Sequence, residues 1–196
     1  MDYAVSGAPT NKTLWPSKST SRDFLEQVGV FLNQSNNLDP ATTLYTVYFG
    51  INDVVASHKD GVENLPAAAQ VVLDQIQRLA APPTLARSFL VTDSYGRGTQ
   101  EPAGDAYKKK VFNGLAELRF SLPLLQIGYV DFGYIWNAVL NTEPGYAAFG
   151  YNSPGAVFGI VAPSSELAPI QTIRSIGSLG ILRNKLTALW VTTSSW

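Results

Sequence analysis

Two short segments of this 196-residue chain combine residue types that can stabilise negative charge developing on an oxygen. Leu44-Tyr45-Thr46-Val47-Tyr48-Phe49 is an apolar run of aromatic and β-branched residues, and Gly50-Ile51-Asn52-Asp53 follows it at once. Tyr3-Ala4-Val5 is a shorter apolar run that closes on Ser6-Gly7-Ala8. A glycine main-chain N–H and an asparagine side-chain amide set side by side can both donate to the oxygen of a tetrahedral acyl intermediate. Such donors often supply the largest single catalytic contribution. Gly7 and Asn52 are therefore the candidate oxyanion residues, with Gly50 and Asp53 in support. Taken alone, Asn-Asp after a strand is also ordinary turn chemistry.

Other reactive side chains are sparse. Thr92-Asp93-Ser94-Tyr95 follows a strand-like run and offers Ser94 as a nucleophile candidate. His58 is the only histidine and reads as a surface or helix-entry residue. Ser6, beside Gly7, reads as a backbone or packing residue. Lys108-Lys109-Lys110 reads as facing solvent rather than holding phosphate. With no cysteine and one histidine the chain offers no thiolate or histidine metal cluster, and nothing in it calls for a cofactor.

In open α/β sheets, ligands bind beyond the carboxyl ends of the strands, where loops and helix N-termini gather unpaired N–H groups. The elements around Gly7 and Asn52 must then be parallel strands and crossover helices, and the residue pattern supplies them. Tyr3–Val5 reads as the end of a strand. Asp23 to Gln34 carries Phe24, Leu25, Val28, Phe31 and Leu32 on one helical stripe, with Asp23 and Glu26 in capping-box spacing. Leu44 to Phe49 reads as a buried strand. Asn64 caps a helix that starts near Pro66 and ends before Pro82-Pro83. Phe89–Thr92 is the next strand, Asp105–Phe120 a helix, Gln126–Phe132 a fourth strand and Ile135–Leu140 a short helix. The alternation predicts an α/β fold with one core.

Composition agrees with a single compact domain. Hydrophobic residues make up 45% and charged residues 15%, which excludes a disordered polyelectrolyte. A net charge of −1 gives no attraction to nucleic acid. The longest apolar runs fall far short of the roughly 18 residues a membrane span needs. Monomer is the expected state. The first residues, Met1-Asp2-Tyr3, lack the basic and apolar regions of a secretory signal.

Ala4-Val5-Ser6-Gly7-Ala8 resembles the second block of SGNH/GDSL hydrolases, and Gly50-Ile51-Asn52-Asp53 resembles their third. Asp93-Ser94-Tyr95-Gly96-Arg97-Gly98, Val130-Asp131-Phe132 and Phe149-Gly150-Tyr151-Asn152-Ser153-Pro154-Gly155-Ala156 resemble fungal secreted members, the acetylesterase-like carbohydrate esterases. The ordered set covers residues 2 to 156. This resemblance implies a flavodoxin-like, three-layer, doubly wound parallel sheet and a serine mechanism on small esters or acetylated carbohydrate. In that mechanism a C-terminal histidine is the base and an aspartate orients it. It also implies secretion, and oxyanion donation by the Gly7 N–H and the Asn52 amide from neighbouring parallel strand tips facing a common hollow. The family's Gly-Asp-Ser block lies upstream of the second block, and only three residues precede Ala4 here. No catalytic residue of the triad is retained, so the chain is expected to be inactive. Degenerate binding of a glycan or ester through Asn52, Tyr48, Tyr95 and Tyr151 is the alternative.

The chain divides into 1–156, a partial hydrolase domain, and 157–196, a divergent tail expected to be poorly ordered. The tail holds Arg174, Arg183 and Lys185 as its bases and Glu166 as its acid, with many Ser, Thr and Gly and no clear period. Codons permitted for Leu167 to Trp196, read two bases later, spell C-S-D-P-D-H-S-F-Y-W-F-L-G-H-P-S-K-Q-T-H-R-I-M-G-D-Y-V-V-V. That string resembles the family's ending, with its cysteine, Asp/His region and closing helix. A frameshift or misread intron is the expected origin of the tail, and a truncated start the expected origin of the short N-terminus.

Overall fold

The computed structural model describes residues 1–93, 101–154 and the backbone of 188–193. It is mixed α/β, and its parallel strands follow the hydrophobic pattern. Strands β1 (Thr43–Tyr48), β2 (Ser88–Thr92) and β3 (Gln126–Val130) run parallel, with Val47 opposite Val91 and Val91 opposite Tyr129. A fourth strand, β4 (Ala188–Thr193), pairs antiparallel with β1, giving the order β3-β2-β1-β4.

Alternation along β1 and β2 buries Tyr45, Val47, Phe89 and Val91 on one face. Helices α1 (Phe24–Asn33), α3 (Leu65–Ala80) and α4 (Pro102–Ser121) cover that face. Phe24 stacks on Phe49 at 4.2 Å, Phe31 meets Tyr45 edge-on and Phe112 meets Tyr129. The capping box at Asp23 and Glu26 forms in both directions, satisfying two of the N–H groups a helix start leaves open. The opposite face carries Leu44, Thr46, Tyr48 and Leu90. Among the described residues its helical cover is α5 (Phe132–Leu140), where Phe132 packs edge-on against Tyr48, while Leu44 stays 37% exposed.

Several expectations need correction. The steps from β1 to β2 and from β2 to β3 go the same way across the sheet, and their helices α3 and α4 lie on one face. A single crossover hand requires this. Among the described residues the sheet has three parallel strands with the antiparallel β4 beside β1, a mixed α/β fold. Tyr3–Val5 forms no strand, and an isolated bridge at Asp2 marks that segment. Helix α2 (Ile51–Asp60) follows β1 directly and was not expected, because its buried face is Asp53, Val54, Ala56 and Ser57, half of it polar. Asn64 stands at the start of α3 but its side chain caps nothing there. It donates instead to the Leu14 and Asp60 carbonyls. Helix α5 begins at Phe132, earlier than Ile135, because the Asp131 carboxylate accepts the Tyr134 N–H and caps it. The expectation of a poorly ordered tail falls, apart from β4, outside the described residues. No helix among the described residues is long and apolar enough to cross a membrane.

Candidate functional site

Gly50 turns β1 into α2. Its φ of 119° is a backbone state that side chains rarely adopt, and it puts Ile51 and Asn52 into the first helical turn with no spacer. Asn52 therefore leaves the carboxyl end of β1 at a helix N-terminus, where main-chain N–H groups point outward. From there its Nδ2 donates to the Ala8 carbonyl oxygen at 3.0 Å. That contact ties Asn52 to the carbonyl of Ala8, the residue next to Gly7, across 44 positions of chain.

Gly7 has φ of 79° in a turn closed by the Ala8 N–H to the Val5 carbonyl at 3.2 Å. A Cβ there would meet Ser21 Oγ at 3.5 Å, an ordinary contact. Backbone conformation rather than crowding asks for glycine at this position.

Asp53, also singled out from sequence, is wholly buried. Its carboxylate accepts the Thr10 N–H at 3.0 Å, the Thr10 hydroxyl at 2.6 Å and the Trp15 indole N–H at 2.6 Å. Burial raises its pKa, opposed by the Thr10 and Trp15 donors. Thr10 and Trp15, both 0% exposed, are the partners that sequence reasoning missed. Trp15 lies outside every periodic segment, so its only signal is a large aromatic in a polar stretch.

A second cluster lies at the carboxyl ends of β2 and β3. Asp93 accepts the Phe132 and Gly133 N–H groups at 2.8 and 3.1 Å, and Lys108 Nζ lies 3.3 Å from Asp93 and 2.7 Å from Asp131. Lys108 is thus paired and only 23% exposed, which corrects the solvent-facing reading of that lysine. Lys110 reaches the Pro66 carbonyl. Burial pushes the Asp93 carboxyl up to about 6, against its two N–H donors and Lys108. For Asp131 burial acts upward too, but the Lys108 ammonium and the Tyr134 N–H outweigh it and hold that carboxyl below its ordinary value.

The remaining candidates fall elsewhere. His58 is in the last turn of α2, not at a helix entry. It is 57% exposed and pairs with Glu101 at 2.8 Å. Ser6 is exposed. Ser94 and Tyr95 lie outside the described residues. A cavity of about 10 Å³ near the strand ends is lined by Val47, Asp93, Tyr107, Lys108 and Tyr129 among others. Gly7 and Asn52 do not line it, so the expected common hollow is not this cavity.

Chemically, the Gly7–Asn52 neighbourhood can present N–H donors to an oxygen. Charged groups, by contrast, gather around Asp93, where they pair with one another. No protein-family model matches the sequence, and no curated protein matches it.

Proposed function

We propose that this chain is a carboxyl-ester hydrolase domain of the SGNH/GDSL type, directed to acetylated carbohydrate or other small esters, whose 196 residues keep the oxyanion pair and turn no ester over. The supporting observation is the 3.0 Å contact from the Asn52 amide to Ala8, which sets a side-chain amide beside a glycine turn at the carboxyl end of a parallel strand. In a hydrolase, such donors hold the oxygen of the tetrahedral intermediate, and losing one costs about 10² to 10³ in turnover.

An oxyanion pair does not attack a carbonyl by itself. It needs a nucleophile and a base to take the proton. The one histidine, His58, is exposed and lies 2.8 Å from Glu101 in the last turn of α2, away from Asn52 at its start. A second reading, a binding module that holds a glycan or ester without cleaving it, draws support from Tyr48. This partly exposed aromatic ends β1 and packs edge-on with Phe132 at 6.2 Å, near the carboxyl end of the strand where α/β sheets bind ligands.

The test is turnover of a chromogenic acetate ester by the full chain beside an Asn52→Ala control. Equal, background-level rates are expected. Turnover above that control contradicts the inactivity, and saturable binding of an acetylated glycan that Asn52→Ala abolishes supports the binding reading.

A further inference from the structure

Asp53 spends its carboxylate on a segment far from its own helix. Three donors from Thr10 and Trp15 converge on it, while its neighbour Asn52 holds Ala8. We propose that Asp53 is a positioning residue: it clamps the 10–15 segment against the first turn of α2 and thereby fixes the Ala8 carbonyl, and with it the Gly7 turn, beside the Asn52 amide. This rests on the oxyanion reading of Gly7 and Asn52.

The lever between clamp and site is short and stiff. Ala8 and Thr10 are separated by Pro9, whose ring locks φ, and the Pro9 carbonyl is itself held by the Phe24 N–H at 3.1 Å. The fixed φ of Pro9 limits how far Ala8 can move relative to Thr10, and the Phe24 bond is a second anchor on the same stretch. Trp15 makes the clamp two-pointed, since its indole N–H reaches the same oxygen, Oδ1, as the Thr10 hydroxyl. Removing the carboxylate strands three buried donors, and the segment regains rotational freedom that the bonds had suppressed.

Two substitutions separate the clamp from mere stability. Asp53→Asn can keep Oδ1 as acceptor for the Thr10 hydroxyl and the Trp15 indole, whereas Asp53→Ala keeps nothing. Trp15→Phe removes one donor at almost constant shape. Each full-length variant is compared with the unmodified chain by amide NMR. The readouts are the cross-relaxation between the Asn52 side-chain amide and the Gly7 and Ala8 amides, and the shift of the Gly7 amide on titration with acetate.

Asp53→Ala is expected to abolish the cross-relaxation and weaken acetate at Gly7 by about tenfold or more, the value of one lost charge-assisted bond. Trp15→Phe should weaken acetate about two- to fivefold by the same reasoning, and Asp53→Asn should restore the cross-relaxation. If Asp53→Ala does not fold, Trp15→Phe and Asp53→Asn carry the test. Wild-type cross-relaxation and acetate response in Trp15→Phe, or in Asp53→Ala where it folds, overturn the proposal. Absence of any acetate response in the unmodified chain sinks the oxyanion reading instead, and the clamp is then decided by the cross-relaxation alone.

Discussion

Gly114→Ala gives the sharpest test of how the crossover helices are packed. Gly114 faces α3 from the middle of α4, and a Cβ built on it lies 2.2 Å from Leu73 Cδ1 and 2.9 Å from Leu73 Cδ2. Ordinary carbon contacts are about 3.5–4 Å, so Leu73 or the helix must retreat by more than an ångström. Leu73 is 6% exposed and cannot move without opening packed surface. Overpacking of this kind costs about 1–3 kcal/mol. Replacing glycine by alanine inside a helix returns about 0.8–1 kcal/mol, leaving a net loss of about 1 kcal/mol. The assay is urea unfolding of four proteins: the unmodified chain, Gly114→Ala, Leu73→Ala and the double variant. Leu73→Ala alone should cost about 2–5 kcal/mol. In that background the clash is gone, so Gly114→Ala should stabilise by about 1 kcal/mol. The sign must therefore reverse between backgrounds. A Gly114→Ala effect of the same sign and size in both refutes the contact between α3 and α4.

Asp93 and His58 give two further tests. The Asp93 carboxyl sits at about 6 in the folded chain against an ordinary 3.8, so the folded state binds its proton more tightly than the unfolded chain does. Its contribution to stability is full below the ordinary value and is lost as pH rises through about 6. Relative to Asp93→Asn, the unmodified chain should gain about 1–2 kcal/mol between about pH 7 and pH 4.5, read from urea midpoints; a flat or falling difference would count against the burial of Asp93. His58→Ala should leave stability within about 0.5 kcal/mol, since the Glu101 pair is exposed and such pairs contribute little. A loss above about 2 kcal/mol would mean that His58 does more than the surface pair allows.

Hydrophobic period made β1, β2, α1 and α3 legible because each buries a regular stripe, and the capping box at Asp23 and Glu26 marked the start of α1 within a residue. Helix α2 escaped because Asp53 and Ser57 occupy its buried face, so polar residues cancel its amphipathic signal. Gly7, Gly50, Asn52 and Asp53 were singled out from type and spacing after apolar runs. What spacing could not supply was the contact of Asn52 with Ala8 or the partners of Asp53, which lie 38 and 43 positions away and depend on how a loop folds back. Lys108 was misread because a run of three lysines looks uniform in sequence, while a helix turns each one to a different face.

Asp53 and Asp93 act on the same physical problem, because main-chain N–H groups in segments outside the strand ladder need a partner when they are buried. Asp53, just past β1, takes up the Thr10 N–H, and Asp93, just past β2, takes up the Phe132 and Gly133 N–H groups at the start of α5. Only Asp93 has a cation beside it, and Gly133 shows how tight that arrangement is: a Cβ there would come within 3.2 Å of Lys108 Nζ and of Asp131 Oδ1. Asp53 answers the same need with neutral donors from a loop and an indole. Asp53 thus orders the loop with no cation among its described hydrogen-bond partners.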